Sequence, residues 1–153
     1  MKVRFPLTWL IQAYIPLPYT FNVKNTSQLI NDLNDIPYNQ NLRLASFDIT
    51  NMYTNIRTSD LIAIIDTACR NNHIEENLTQ EILKLSGVII NQNFFHVIEK
   101  TCLQSEGLAV GAPSSSIFSE FYLQFLEISK IYILLQSHNI LGYFCYVDDI
   151  QWK

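Results

Sequence analysis

The spacing of apolar residues along the chain predicts helices that alternate with short strands. Residues 1–22 are broken by prolines and are expected to be extended or irregular. From Ser27 apolar residues recur at helical spacing, and Pro37 ends that helix. Apolar and polar residues then alternate over residues 42–50. This alternation predicts a strand that carries Asp48 near its end.

Further apolar patterns follow in the rest of the chain. Thr58 or Ser59 is expected to cap a second helix, and a third is expected from about Leu78 to Ile90. A strand is predicted over 94–98 and a glycine-containing loop over 106–113. A helix capped by serines 114–116 is expected to turn one face inward, formed by Ile117, Phe121, Phe125, Ile128, Tyr132 and Leu135. A β-rich run over 140–147 completes the pattern, so the fold class is α+β or a mixed α/β arrangement.

Composition excludes several classes of protein. The 153 residues are 48% hydrophobic, which argues against intrinsic disorder. Three distant cysteines (Cys69, Cys102 and Cys145) form neither a disulfide framework nor a CxxC zinc site and indicate reduced thiols. Neither a secretory signal nor a membrane span is predicted. We expect an intracellular protein, nuclear or cytoplasmic, with no membrane partner.

The net charge of −4 makes a free-standing nucleic-acid binder unexpected, because phosphates require clustered cations. The deficit arises in one region. Residues 101–149 contain a single basic residue, Lys130, against Glu106, Glu120, Glu127, Asp148 and Asp149.

Three segments carry candidate chemistry, and each has an ordinary structural alternative. Asp48 at the end of an apolar strand suits a divalent cation, or it caps the following turn. The adjacent Asp148 and Asp149 repel unless a cation neutralises them, or they form an Asp-rich hairpin turn. The run from Gly107 to Pro113 allows close backbone approach to a ligand, or is simply a turn.

Taken together and in order, these segments resemble motifs A, B and C of the reverse transcriptase palm. The strings are SFDITNMYTNI, GLAVGAPSSSIFSEFYLQFLE and GYFCYVDDI, and they are most similar to Penelope-like retroelements. The resemblance covers about residues 42–150. It implies a palm with an antiparallel sheet backed by helices, an RNA-directed DNA polymerase activity, and a partial fingers segment over 1–41 before a palm core over 42–153.

The resemblance also implies roles for individual residues. Asp48, Asp148 and Asp149 match the catalytic carboxylates, and the metal site would comprise these three and Ile49, holding two Mg²⁺ or Mn²⁺ ions. Nucleotide contacts are implied for Tyr53 as the steric gate against a 2′-hydroxyl and for the loop residues Gly111, Ala112 and Pro113. The implied partners are an RNA template with a DNA primer and dNTPs.

Two residues of the loop depart from the family pattern. Many relatives have Ser at the position of Ala112, and Gln or Met at that of Val110. Because a valine side chain cannot donate a hydrogen bond, a polar nucleotide contact at Val110 is not expected. Arg43 and Arg57 flank motif A and are interpreted either as phosphate contacts or as surface residues.

Three functions remain open at this point. The first is an RNA-directed DNA polymerase, and the second is a catalytically inactive or domesticated fragment that acts as an interaction module. The third, an RNA-templated RNA polymerase, is disfavoured by Tyr53 and by the valine before Asp148. Because no finger pattern of basic residues and no thumb sequence are recognised, the chain is expected to be an open palm fragment.

Overall fold

The fold was obtained as a computed structural model, which describes residues 7–17, 21–37, 41–146 and 149–152. Helices and strands alternate irregularly along the described ranges. In chain order the elements are α1 (Leu7–Tyr14), α2 (Thr26–Asn34), β1 (Ala45–Asp48), α3 (Met52–Asn55), α4 (Thr58–Asn71), α5 (Glu76–Asn91), β2 (Phe94–Val97), β3 (Lys100–Leu103), α6 (Ser115–Leu126), a π-helical segment (Glu127–Ile131), α7 (Tyr132–Ser137), β4 (Tyr143–Tyr146) and β5 (Asp149–Trp152).

The chain divides into two compact units, each of which is discontinuous in sequence. Unit 1 comprises Met1–Pro18 and Asn51–Phe125, and unit 2 comprises Tyr19–Thr50 and Leu126–Lys153. This division follows packing within the chain. The boundary between residues 41 and 42 that the family resemblance implies stays a prediction.

The core of unit 1 takes residues from α1, α4, α5 and α6. Leu61, Ile65 and Cys69 recur at i, i+4 and i+8 along α4 and are fully buried. On α5 the buried residues are Thr79, Ile82, Ser86 and Ile90. The sequence spacing predicts Ile82, Leu85 and Ile89 as the core stripe of α5. Ile82 is buried as expected, but Leu85 is 48% exposed and the small polar Ser86 occupies the buried face.

A left-handed residue ends α4 and redirects the chain into α5. His73 adopts φ 54° and its amide donates to the Arg70 carbonyl, while the amide of Ile74 donates to Cys69. These two bonds form a Schellman motif, which satisfies carbonyls that the helix end leaves open. The predicted side-chain cap at the start of α4 is wrong, because Arg57 is the capping residue and makes no side-chain cap bond.

Unit 1 also contains an antiparallel hairpin, of which only the first strand was predicted. Strands β2 and β3 pair from Phe94 opposite Leu103 to Val97 opposite Lys100. The two-residue turn between them holds Ile98, which is 98% exposed at φ 57°. Positive φ is rare for a β-branched residue, and the polar run after Ile98 gave little sign of a second strand.

Unit 2 contains a three-stranded antiparallel sheet in the order β1-β5-β4. Strand β1 is shorter than the predicted range of 42–50, and β4 begins three residues later than predicted. A further row of hydrogen bonds extends the free edge of β4: the Cys145 amide donates to Phe21, and the Val23 amide donates to Cys145, each at 3.0 Å. Phe21 and Val23 are thereby fixed beside the sheet.

The inward face predicted for the helix over residues 115–137 is confirmed in its first part and wrong further on. Phe121 is buried and Ile117 packs against the core, as predicted. Phe125, Ile128 and Tyr132 are instead 41%, 51% and 51% exposed. The π-helical segment supplies a physical reason. Its i→i+5 bonding inserts an extra residue per turn, so a single 3.6-residue period cannot describe both sides of it.

The predicted fold class is confirmed in its main feature. The described residues form a mixed α+β structure with antiparallel sheets.

Candidate functional site

The register of the sheet in unit 2 brings two of the predicted carboxylate residues together. Asp48, the last residue of β1, pairs directly with Asp149, the first residue of β5. Asp149 pairs in turn with Tyr146, the last residue of β4. Directly opposed residues in an antiparallel sheet share a face. Asp48 and Tyr146 therefore stand on the same face of the sheet.

Asp48 is exposed, as is Ser46, which precedes it on the same face. Ile49, whose backbone carbonyl lies next along the chain, is half-buried. Asp148 falls outside the described residues, between the paired Tyr146 and Asp149. The roles predicted for these residues stay predictions.

The donor set suits a hard divalent cation. Among the side chains that the structure describes, no group of three or more His, Cys, Asp and Glu residues converges on one point. The pairing of Asp48 with Asp149 nevertheless makes two acidic residues direct neighbours, an arrangement that a cation relieves. Carboxylate and carbonyl oxygens are the ligands that Mg²⁺ and Mn²⁺ prefer. The residues present fit such a site.

A buried acid backs the same sheet. Glu127, in the π-helical segment, is 3% exposed, and its Oε1 accepts a hydrogen bond of 3.3 Å from the Tyr143 hydroxyl on β4. Burial raises the pKa of Tyr143, and the charge of Glu127 raises it further. The Tyr143 ring also makes an edge contact with Phe21, with the ring centres 5.1 Å apart. This contact and the hydrogen bond tie β4 to the segments on both sides of it.

The second part of the candidate site lies in unit 1, where Tyr53 meets the glycine loop. Tyr53 lies in the short helix α3 and packs partly buried against the hydrophobic core. Its carbonyl accepts a hydrogen bond of 2.8 Å from the Leu108 amide. The motif A aromatic residue and the motif B loop are therefore joined by their backbones.

Gly107 allows that contact. It adopts φ 79°, and a Cβ atom there would lie 2.5 Å from the Thr54 carbonyl oxygen, an overlap with backbone. The Gly107 carbonyl accepts a hydrogen bond of 3.0 Å from the side-chain amide of the buried Asn93. Gln104 donates to the carbonyls of Glu106 and Leu108. The first glycine of the loop is thus buried and structural.

The far end of the loop is open. Gly111 adopts φ 86° with nothing within 4 Å of its Cβ position, and Val110 is 76% exposed. Ala112 and Pro113 follow, half-buried and exposed. Ser115 donates to the Ala109 carbonyl at 2.7 Å and holds this end to the start of α6. Gly111, Ala112 and Pro113, the three loop residues predicted to contact nucleotide, lie in this stretch.

A cavity of about 250 Å³ lies beside α3 in unit 1. Arg57 and Glu106 line it, together with Thr54, Asn55, Ile56 and Ser59. Arg57 is exposed, and so is Arg43 in unit 2. Surface placement is thus established for both arginines, and phosphate contact stays a prediction.

The described structure assembles the predicted residues in two sets: Asp48 with Asp149, and Tyr53 with the loop that leads to Gly111. Three supporting residues were missed: Asn93, Glu127 and Tyr143. A buried acid in a helix has no recognisable sequence signal here, and the sequence alone would place Glu127, with Glu120 and Lys130, on a solvated helix face. The role of Gly107 could have been found from its place at the start of the G-x-x-x-G spacing.

Comparison with known proteins informs the fold. No family model and no curated protein match the sequence. A solved structure of apo telomerase from Candida tropicalis, truncated from the C-terminal domain, superposes with a TM-score of 0.71 at 16% identity, over 96% of this chain and 33% of that chain. The chain thus spans about a third of the length of that neighbour. At this identity the likeness establishes the fold alone: the chain folds like a part of that telomerase structure.

Among the described residues, no helix combines the length and the apolar character that crossing a bilayer requires.

Proposed function

We propose that this chain is the polymerase core of a reverse transcriptase and that it extends a DNA primer on an RNA template. The observation that carries the proposal is the direct pairing of Asp48 with Asp149 in the antiparallel sheet of a reverse-transcriptase-like fold. Neither strand alone distinguishes a catalytic carboxylate from a turn residue. Their shared position in the sheet favours a common ligand.

In this proposal the primer 3′-oxygen attacks the α-phosphorus of a dNTP, the bond to the β-phosphate breaks, and pyrophosphate leaves. Asp48, the Ile49 carbonyl, Asp148 and Asp149 would hold two Mg²⁺ or Mn²⁺ ions. Ions bound there would lower the pKa of the attacking hydroxyl and stabilise charge on the leaving group. The carboxylates of the chain position those charges and accept no covalent bond.

Tyr53 and the open end of the loop would select the nucleotide. An aromatic ring at this position would contact the sugar and exclude a 2′-hydroxyl, which favours dNTPs over rNTPs. The anchored Gly107 and Leu108 support this role, because they fix the backbone of the loop against that of Tyr53. Gly111, Ala112 and Pro113 would then border the nucleotide pocket, with an apolar contact at Val110.

An origin in a Penelope-like retroelement, with a nuclear or cytoplasmic location, is part of the same proposal. It rests on the order of the three motifs along the chain and on their amino-acid sequences. The structure of apo telomerase concerns another protein and supports only the fold.

The proposal is tested by primer extension with the full chain. A labelled DNA primer on an RNA template should gain nucleotides with dNTPs and Mg²⁺, and EDTA or Asp148→Ala should abolish the gain. Extension that survives Asp148→Ala would overturn the mechanism. Replacing dNTPs by rNTPs should reduce incorporation in the wild type, and Tyr53→Ala should narrow that difference.

A second candidate function is supported by one specific observation. The hairpin β2–β3 exposes several large apolar side chains: Phe94, Phe95, Val97, Ile98 and Leu103. Such a surface is typical of an interaction site, as an inactive fragment acting as an interaction module would require. This candidate predicts that the chain incorporates no nucleotide with Mg²⁺ or with Mn²⁺. Circular dichroism must show that the same chain is folded.

A further inference from the structure

A buried acid in unit 2 lies outside the residues to which the motifs assign a role. Glu127 is 3% exposed, although Ile128 and Ser129 directly after it are exposed. Moving an ionised carboxylate out of water costs free energy, and an apolar side chain of similar size is often more stabilising at a buried position. The stability of the fold alone therefore does not account for an acid at this position.

The backbone is irregular at the same residue. Glu127 opens the π-helical segment, and its carbonyl accepts a hydrogen bond from the amide of Tyr132, five residues later. The regular helix α6 ends one residue earlier, at Leu126. π-Helical turns are rare, and those found within helices occur frequently at functional sites. Two unfavourable features, a buried acid and an irregular turn, thus coincide at Glu127.

The acid contacts the strand that leads to the acidic residues. Its Oε1 accepts the 3.3 Å hydrogen bond from the hydroxyl of Tyr143, the first residue of β4. Because side chains alternate between the faces of a strand, Tyr143 and the buried Cys145 share one face and Tyr146 lies on the other. Tyr146 stands on the face that carries Asp48. Glu127 therefore contacts the sheet from the face opposite to the proposed site.

Tyr143 is restrained at its ring as well as at its hydroxyl. The ring makes an edge contact with Phe21 at 5.1 Å between ring centres, and the Phe21 carbonyl accepts from the Cys145 amide at 3.0 Å. Burial raises the pKa of Tyr143, and the charge of Glu127 raises it further, so the hydroxyl keeps the proton that it donates. One side chain thus joins β4 to the π-helical segment and to the chain beside the sheet.

We propose that Glu127 is a positioning residue for the carboxylates that would hold the metal ions. Its hydrogen bond fixes Tyr143 at the start of β4. Strand pairing then relates Tyr146, at the end of β4, to Asp149 and through it to Asp48. Groups behind metal ligands set the geometry of those ligands and hence the affinity for the metal. The inference rests on the proposed function, because it takes Asp48 and Asp149 to be metal ligands.

The test measures binding of Mn²⁺ to the full chain without primer or nucleotide. The electron paramagnetic resonance signal of free Mn²⁺ reports the binding, and Asp48→Asn identifies the part that depends on the acidic sheet. Tyr143→Phe and Glu127→Ala each remove the hydrogen bond, so each should weaken that part about tenfold. The double variant should bind no more weakly than either single variant, because both changes remove the same bond.

Two further variants separate positioning from stability, with circular dichroism to show that each chain is folded. Glu127→Gln keeps an oxygen that can accept from Tyr143, so its Mn²⁺ affinity should stay within about twofold of the wild type. Ile82→Val removes a methylene group from the core of unit 1, so it should lower stability without changing Mn²⁺ affinity. If Ile82→Val weakens Mn²⁺ binding as much as Tyr143→Phe, or Glu127→Gln as much as Glu127→Ala, the inference is overturned.

Primer extension by the same chains separates this inference from the proposed function. If the wild type extends primers and Tyr143→Phe binds Mn²⁺ as tightly as the wild type, the inference fails and the proposed function stands. If Mn²⁺ binding depends on Tyr143 as expected but the wild type never extends a primer, the positioning role stands and the proposed polymerase fails. Mn²⁺ binding that Asp48→Asn leaves unchanged overturns the inference, because the metal would then lie elsewhere.

Discussion

The glycine loop of unit 1 and the acidic sheet of unit 2 position their predicted residues in different ways. The loop is held at its first glycine, where Gly107 is buried against Thr54, and it is open at its second, Gly111. The described part of the sheet positions its acidic residues by strand pairing instead of by the close packing of one glycine. Its register pairs Asp48 with Asp149 through hydrogen bonds along whole strands. A point substitution should therefore disturb the loop more than the sheet.

The largest expected effect on stability comes from Gly107→Ala. The added Cβ overlaps the Thr54 backbone, and alanine is strained at φ 79°. Because the two costs add, we expect a loss of more than about 3 kcal/mol in the free energy of unfolding. Gly111→Ala is the matched control, since it has a similar φ and open space, and it should cost about 1–2 kcal/mol. Urea denaturation measures both, and equal losses would contradict the anchored-end account.

The sheet should respond most to Tyr143→Phe. This change removes the hydrogen bond to the buried Glu127 while keeping the ring and its contact with Phe21. A buried carboxylate that loses a donor should cost about 1–3 kcal/mol. Denaturation of the variant measures the loss. Tyr132→Phe, at an exposed position, is the control and should be close to neutral. A neutral Tyr143→Phe would mean that this hydrogen bond does not hold β4.

A smaller effect is expected from Gln104→Met in the loop. The variant keeps much of the side-chain volume but loses the bonds to the carbonyls of Glu106 and Leu108. Each bond contributes about 0.5–1.5 kcal/mol, and nearby water can replace part of it because Glu106 is exposed. We expect a loss of about 1 kcal/mol by urea denaturation. If Gln104→Met lowers the free energy of unfolding as much as Gly107→Ala does, the hydrogen bonds of Gln104 stabilise the loop as strongly as the packing of Gly107, which would contradict the account.

The pH dependence of stability gives the mildest test, and comparison with Tyr143→Phe isolates the part of it that arises in the sheet. Burial and Glu127 raise the pKa of Tyr143 above the ordinary tyrosine value of 10.0. A group whose pKa is raised on folding contributes stability that is complete below its unfolded pKa and is lost as pH rises toward its folded pKa. Stability should therefore fall above about pH 10. Tyr143→Phe should show a shallower fall, and identical curves would contradict the assignment.

Part of this fold is predictable from the sequence because local patterns determine it. The helical spacing of apolar residues predicts both α4 and α5, and the apolar run before Asp148 predicts β4. Pairing register is not a local property, so the partnership of Asp48 with Asp149 followed only from the resemblance to a family. The hairpin strand β3 is not predictable from the sequence, because it begins with the polar residues Lys100 and Thr101 and lacks the alternation of apolar and polar residues that indicates a strand.

The candidate site shows the same limit. The three motifs predict the candidate site residues, whereas the residues that support them have no recognisable pattern in the sequence. Glu127 looks like a surface acid until the π-helical segment changes the face on which it lies. Asn93 reaches Gly107 across fourteen residues, a distance that no local pattern encodes.

Asp48 offers the most direct test of the proposal that the acidic sheet is a polymerase centre. Single-nucleotide incorporation on a DNA primer and RNA template is compared for the wild type, Asp48→Asn and Ser46→Ala, the last being an exposed control two residues away on the same strand face. If Asp48 holds a catalytic metal, Asp48→Asn should lower the rate by about 10³-fold, equivalent to several kcal/mol of transition-state stabilisation, and Ser46→Ala should not. Equal rates for Asp48→Asn and wild type would contradict the account.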